Sequence, residues 1–312
     1  MEIMANRRIA ASRFDCTLIA IARDEGPYIA EWLAFHRAVG FSRILVFDHA
    51  SADETPAIIA RAAAADPAIS LHTVAAPDGV APQIAAYTAG MALVSTPWVA
   101  FLDIDEFLVP WQDGSLPDYL ARVPDDVSAV HVNWRSFGSS GLIAPAYGFV
   151  TEAFRRCAPS DWVYQTHYKT LARSEHVRGV QVHEVVLASG RRTLSDFTDV
   201  ATDTTGMADR TAYGGIQLNH YQCKTWGEFS ARMRLPSAGS PRGPRLDDLA
   251  LRFSLLDRNE IEDLSASQFS QAMRARWAVL TTGRAPPRAQ AAAARVWNRL
   301  AARDFLAPEF AA

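Results

Sequence analysis

Cysteine is scarce in this sequence: Cys16, Cys157 and Cys223 are three, an odd number, and far apart. That excludes a disulfide framework and fits no zinc spacing, so a reducing compartment is expected. No run approaches the ~18 apolar residues that a membrane-spanning helix requires. The N-terminal MEIMANRRIAASRF is basic but has no apolar stretch, so no secretory signal is expected. Neither sign of charge dominates, with 31 Lys and Arg against 34 Asp and Glu and a formal net charge of -3. A general nucleic-acid binder would carry a basic face, so no nucleic-acid partner is expected. No internal repeat is present. What remains, 49% apolar and 21% charged residues over 312 positions, is the composition of a globular protein with one large domain or two modest ones.

The N-terminal third alternates. Cys16–Ala22 (CTLIAIA) reads as a buried strand, followed by the polar loop RDEG. Pro27 opens a helix whose Ile29, Trp32, Leu33 and His36 share one face, and Gly40 stops it. Strand Arg43–Phe47, an alanine-rich helix ending near Asp66, strand Ile69–Val74, helix Pro82–Val94 and strand Trp98–Leu102 follow. Such alternation implies a parallel sheet, whose ligands bind beyond the carboxyl ends of the strands. Acids stand at three of those ends: Asp24 and Glu25, then Asp48, then Asp103, Asp105 and Glu106. Further on, a helix is expected at Leu116–Val123, strands at Ala129–Trp134 and Ile216–Tyr221, a strand pair in HVRGVQVHEVVL and a helix at Trp226–Met233. PSAGSPRGPR reads as a mobile loop, and the remainder is mostly helical.

The stretch VAFLDIDEFLVPW places three carboxylates between two apolar segments. Two side chains of a strand-terminal Asp-x-Asp point the same way. Close carboxylates repel, and one would take up a proton unless a cation lies between them. Oxygen ligands of this kind suit magnesium or manganese, completed by substrate phosphates and water. The competing reading of Asp-x-Asp is a solvated turn.

In order along the chain, CTLIAIARDEGPYIAEWLAFHRAVG, ILVFDHASADET, FLDIDEF and NHYQCKTWGEF (Asn219–Phe229) resemble bacterial family 2-type glycosyltransferases. The likeness is strongest to the branch related to family 92, the former domain-of-unknown-function 23 group. That branch has an Arg-(Asn/Asp)-Glu loop, an E-W-L-x-x-H helix, a D-x-x-S-x-D-x-T turn, L-D-x-D-E-F and N-H-Y-x-x-K-(S/T)-x-x-E-F. The resemblance covers about residues 15–265. It implies a GT-A fold, a nucleotide-sugar donor and Mn2+ or Mg2+. By the same resemblance Asp48 bonds the nucleotide base, Asp103 contacts ribose or metal, Asp105 ligates the metal, and Arg23, Asp24 and Glu25 form the first nucleotide-contacting loop. Asp24 stands where the family commonly has Asn. Asp53 assists Asp48 or caps the next helix. Glu106 supports the other acids. A downstream histidine often joins the metal; His220 stands in the motif and His183 is the alternative.

Other candidates follow from chemistry alone. Lys224 and Arg242 can neutralise a departing diphosphate, or are solvated charges. Trp134, Phe137 and Gly138 in NWRSFGSSG can form an acceptor platform, because sugars stack on aromatic faces; Trp134 can equally be packing. The resemblance further implies inversion at the anomeric carbon, which needs a general base; Asp161 and Glu184 are candidates. His36, on an apolar helix face, is expected to be a core histidine.

The expected protein is therefore α/β, of GT-A type with a helical C-terminal extension. An N-terminal tail covers 1–13 and a catalytic domain 14–235, divided into a nucleotide-sugar half, 14–135, and an acceptor half, 136–235. The mobile loop and helical extension cover 236–312. The expected activity is metal-dependent transfer from a nucleotide diphosphate donor, a UDP-sugar first, to a saccharide, glycolipid or other hydroxyl acceptor. The expected place is the cytoplasm, with peripheral attachment to the inner membrane face left open through Trp277 and the basic C-terminal helices. Two rival readings are a non-catalytic sugar- or nucleotide-binding protein and a phosphotransferase of the haloacid-dehalogenase type. The latter has Thr or Val where this chain has Phe107, and its Asp-x-Asp strand comes near the start of the core.

Overall fold

The computed structural model describes residues 12–200, 206–233 and 246–281. Its first half is β1 (Cys16–Ala22), α1 (Ile29–Val39), β2 (Arg43–Asp48), α2 (Thr55–Ala65), β3 (Ile69–Thr73), α3 (Pro82–Met91), β4 (Trp98–Phe101), β5 (Glu106–Val109) and α4 (Leu116–Arg122). Then come β6 (Val127–Ser136), α5 (Val150–Ala153), β7 (Arg156–Cys157), β8 (Tyr168–Arg173), β9 (Val177–Val180), β10 (Val185–Leu187), β11 (Arg191–Leu194) and β12 (Gln217–His220). α6 (Trp226–Met233), α7 (Leu246–Leu256), β13 (Ile261–Glu262) and α8 (Ser270–Leu280) complete the described elements. The expected elements of the N-terminal third are present with ends shifted by a few residues; α3 stops at Met91.

The main sheet runs β3-β2-β1-β4-β8-β6-β12-β5, with β11 also paired to β6. β1, β2, β3 and β4 pair in parallel, as the alternation requires. β8 is antiparallel to both β4 and β6, and β12 joins parallel β6 to antiparallel β5. Only Leu102–Asp105 separates β4 from β5, yet they lie four places apart in the sheet. The second half of the sheet must therefore curl round the Asp-x-Asp turn. β9 and β10 form the expected separate antiparallel pair.

β1 alternates between two apolar layers. Leu18 and Ala20 face a core shared with Trp32 and Phe35 of α1, whereas Ile19 packs with Phe47, Val99, Phe101 and Tyr87 on the other side. α1 ends at Gly40, whose φ of 111° is left-handed and whose missing Cβ would lie 2.7 Å from Pro117. Met273 and Leu280 of α8 belong to the same core as β1. Trp277 is partly buried and packs on Phe149 with ring centres 5.8 Å apart. Among the described residues no helix is long and apolar enough to cross one.

The three polar residues of the E-W-L-x-x-H helix each brace a different element. Glu31 accepts from Val150 N at 2.7 Å and Thr151 N at 2.9 Å, capping α5. Trp32 Nε1 donates to the carbonyls of Asp103 and Glu106 at 3.0 and 2.9 Å, holding the Asp-x-Asp turn. His36 bonds Trp32 O through Nδ1 at 2.9 Å and accepts from Leu108 N of β5 at 3.2 Å through Nε2. It is a satisfied core histidine, as expected.

Burial pulls the His36 pKa down from 6.5 to about 3, against the opposing bond to Trp32. Below pH 6.5 the unfolded chain binds a proton that the folded ring refuses, so this residue's contribution is intact above 6.5 and is lost toward 3. His36→Leu leaves Leu108 N without its partner and is expected to be less stable at pH 8. The gap to wild type should shrink by about 2 kcal/mol by pH 5, measured by denaturant unfolding. A gap independent of pH would contradict a neutral buried His36.

Candidate active site

The acids converge at the carboxyl ends of β1, β2 and β4. Asp48 closes β2 and is buried; its Oδ2 accepts from Ser51 N at 3.3 Å, while its Oδ1 is buried with no partner among the described residues. Asp24 ties the first loop to the second, accepting from Ala52 N at 2.6 Å. Its φ is 56°, a left-handed conformation that Asn and Asp enter more readily than other non-glycine residues. That accounts physically for Asn or Asp at this position. Asp53 accepts from Gly26 N at 2.9 Å and Thr55 N at 2.8 Å, so both oxygens are spent on the loop and the start of α2. Of its two expected roles, capping is the one the geometry shows. Arg23 is exposed beside Asp24.

The turn after β4 carries Asp103, Asp105 and Glu106 into three environments. Asp103 is partly exposed and is held by Gln83 at 2.7 Å and by Lys169 Nζ at 3.0 Å. Glu106 is fully buried and accepts from Trp134 Nε1 at 2.8 Å and Asp103 N at 2.9 Å. Lys169, from β8, is also fully buried; it lies 3.9 Å from Glu106 and donates to Val182 O at 2.9 Å. Burial pushes Glu106 up to about 8, with Lys169 opposing and Asp103 and Asp105 adding to the rise. Burial alone would lower Lys169, but Asp103 and Glu106 outweigh it and keep the ammonium charged.

β12 brings the N-H-Y motif against this turn. His220 pairs with Glu106 in β5 and with Ser136 in β6, and its Nε2 lies 3.7 Å from Asp105 Oδ2. Next, Lys224 adopts φ 48° and sets its ammonium 4.4 Å from the centre of the Tyr28 ring. Thr225 and Glu228 form a reciprocal cap at the start of α6: Glu228 Oε2 accepts from Thr225 N at 3.1 Å, and Thr225 Oγ1 accepts from Glu228 N at 3.3 Å. Glu228 also accepts from Tyr28 Oη at 2.7 Å and Tyr147 Oη at 2.5 Å, fixing α6 to the start of α1. α6 thereby presents Arg232 to Asp105, with which it forms an ion pair. Burial alone would raise the Asp105 pKa; Arg232, His220 and Lys224 outweigh it and hold the carboxyl well below the usual range. The expected proton uptake through mutual repulsion therefore does not occur at Asp105. Glu25 lies near the same cations; burial pushes it up, with Arg232 and Lys224 opposing.

The acceptor candidates are placed differently from expectation. Phe137 is 1% exposed and packs on Tyr221 with ring centres 4.7 Å apart, so it presents no face to a sugar. A Cβ on Gly138 would lie 2.4 Å from Arg258 O, so this position is in tight backbone packing. The Trp134 ring stacks on His167 at 4.7 Å and meets His220 at 4.1 Å, while its Nε1 is spent on Glu106. It braces the site from behind. Glu184 accepts from Tyr168 Oη at 3.0 Å. Tyr168 and Lys169 are adjacent in β8 and so face opposite sides of the sheet; Glu184 bonds the first and Asp103 the second. Asp161 is exposed on an open groove with Trp162, Asp209 and Tyr213. His183 bonds Tyr168 O through Nδ1 at 3.2 Å; burial and then Lys169 lower its pKa to about 4, so the ring is neutral. Arg242 lies outside the described residues.

Sequence reasoning missed Lys169, Arg232, and Trp32 as the clamp of the turn. Lys169 did leave a signal: a lone lysine within the strand-like YKTLAR needs a buried partner.

A divalent cation fits this donor set in part. Asp105 and His220 supply an oxygen and a nitrogen 3.7 Å apart, a separation that two bonds of ~2.0–2.3 Å to one cation can span. His220 Nδ1 is buried with no partner among the described residues. Among the described residues no group of three or more His, Cys, Asp or Glu is arranged to hold a metal. The described residues thus offer two donors, and substrate phosphates with water would complete the shell.

The model for glycosyltransferase family 92 matches residues 22–233, more than half of the chain. A glycosyltransferase family 92 protein of Ricinus communis is 27% identical over 232 residues, covering 70% of this chain and 36% of the relative. One from Oryza sativa subsp. japonica is 23% identical over 235 residues, covering 72% and 35%. The chain thus spans about a third of the length of these curated relatives. Among solved structures, the mannosyltransferase from Pyrobaculum calidifontis in complex with GDP-Man and Mn2+ aligns with a TM-score of 0.40 at 17% identity, covering 93% of this chain and 76% of that one. With the matched region running from the end of β1 to the end of α6, and so enclosing every site motif described above, the chain belongs to glycosyltransferase family 92.

Proposed function

We propose that this chain transfers a sugar from a nucleotide diphosphate donor, a UDP-sugar first, to a hydroxyl of a saccharide, glycolipid or other acceptor, with Mn2+ or Mg2+ held at Asp105 and His220. Family membership supports the reaction class. The observation that carries the reading is the approach of His220, from a late strand, to 3.7 Å from Asp105, at the sheet end where Asp48 holds an unpartnered oxygen. In this reading Asp48 Oδ1 accepts from the imide N–H of the base. Asp103, oriented by Lys169 and Gln83, faces the ribose or the metal. Lys224 balances charge on the diphosphate. The cation, when bound, would act as a Lewis acid on the leaving diphosphate. Inversion at the anomeric carbon requires a carboxylate base; with Glu184 engaged by Tyr168, Asp161 is the candidate kept. The place of action is proposed to be the cytoplasm or its membrane surface.

The test is a thermal-shift panel of nucleotide sugars with and without Mn2+. A UDP-sugar should raise Tm only when the metal is present, and absence of any shift across the panel would refute the reading. Slow metal-dependent hydrolysis of the bound donor would separate an enzyme from a non-catalytic binder.

Asp48→Ala should weaken UDP by roughly 10-fold or more, since a hydrogen bond to a charged group contributes about 1.5–3 kcal/mol. Binding of manganese pyrophosphate, which has no base, should stay unchanged by calorimetry. Equal weakening of both ligands would place Asp48 elsewhere in the site.

A further inference from the structure

We infer that Arg232 is a resident counter-ion that occupies the metal-binding oxygen of Asp105 and must leave it for the diphosphate when metal and nucleotide bind. The inference rests on the metal reading of Asp105. Arg232 Nη1 is bonded to Asp105 Oδ2, the same oxygen that lies 3.7 Å from His220 Nε2. A cation bridging Asp105 and His220 would need that oxygen. A guanidinium and a divalent ion crowded onto one oxygen repel each other, so the arginine weakens the cation's hold on it and the two compete. Asp105 itself is 4% exposed, whereas the Arg232 side chain is 46% exposed, so the arginine has room to swing away and the carboxylate does not.

What receives Arg232 follows from its chemistry. A planar guanidinium fork matches phosphate oxygens and binds them in pairs. Leaving Asp105 for bulk water alone would cost the ion pair, so metal without diphosphate has to displace a bound cation. Metal with diphosphate offers Arg232 a new anion a few ångströms away. Lys224 and Glu25 lie near enough to feel the same carboxylate. The device makes the metal a poor ligand of the empty site and ties its binding to that of the nucleotide.

The test is Mn2+ affinity of the full chain, measured by electron paramagnetic resonance without nucleotide and with saturating UDP. Two variants are used: Arg232→Met, and Arg232→Gln, which keeps a neutral donor to Asp105 should the first fail to fold. Either is expected to bind Mn2+ alone at least about 10-fold more tightly than wild type, and to bind UDP in the presence of Mn2+ at least about 10-fold more weakly. Unchanged or weaker Mn2+ binding in a folded variant, with wild type still binding Mn2+ and UDP together, overturns the counter-ion role alone. Wild type that binds no Mn2+ even with UDP overturns the metal reading along with it.

Discussion

Asp105→Asn is expected to lower sugar transfer by at least about 10^3-fold, the scale of losing a key electrostatic contact to the leaving group. The substitution keeps the volume and removes the charge. Asp105 is the buried acid onto which His220, Arg232 and Lys224 all converge, so nothing else in the turn can replace it. Metal-dependent UDP binding should be lost in the same variant. Stability should fall too, because Asp105 is ionised and paired rather than repelled. Its depressed pKa means that its contribution is present above the usual carboxylate range, near 4, and is lost as pH falls below it. The variant should therefore be less stable at pH 7, with the deficit shrinking as the pH falls below the usual carboxylate range. Turnover and denaturant curves at pH 7 and pH 3 check both parts. A variant retaining Mn2+-dependent UDP binding would remove Asp105 from the metal site.

Lys169→Met should produce the largest loss of stability. Lys169 is the buried cation between Asp103 and Glu106, at 3.0 and 3.9 Å. Removing one partner of a buried ionic cluster leaves the others uncompensated, at about 3–5 kcal/mol. Burial already raises the Glu106 carboxyl, and loss of the ammonium raises it further, so whatever charge it carries is given up to a proton and part of that cost is relieved. The net expectation is about 3 kcal/mol, or roughly 6–12 °C in Tm for a domain of this size. Lys169→Met combined with Glu106→Gln should recover part of the loss, because a neutral amide there needs neither a cation nor a proton. If the double variant is the simple sum of the two single ones, Lys169 and Glu106 are not coupled.

The parallel half of the sheet was legible because its signals are local. CTLIAIA and RILVF are short apolar runs bounded by polar loops, and the helices between them carry one apolar face each. The acids at the strand ends were legible for the same reason: position in an alternating β-α series dictates which end they occupy. Less local features were harder to read. EFLV was recognised as buried but not as a strand, since four residues carry no period of their own; pairing with β12 makes it one. YKTLAR was missed because its partners β4 and β6 are distant in sequence. With it went Lys169, the cation that explains why Glu106 can be buried. Arg232 sits in SARM, an ordinary amphipathic helix end, and its meaning depends on Glu228 anchoring α6 to Tyr28 and Tyr147. Phe137 reads by residue type as a sugar platform, and the fold packs it on Tyr221; Trp134, open to either reading, stacks on His167. Glu31, Trp32 and His36 show the converse: a motif that looked like a helix face is a set of three braces around the site.

The most direct test of the metal-nucleotide site is a crystal structure of the wild-type chain with Mn2+ and UDP. The expected result is one Mn2+ within ~2.0–2.3 Å of Asp105 Oδ2 and of His220 Nε2, with diphosphate oxygens completing its shell. The uracil should lie on Asp48 Oδ1, and Arg232 should be off Asp105. A cation bound by His183 with His220 left in its packing, or UDP bound away from the ends of β2 and β4, would contradict the account.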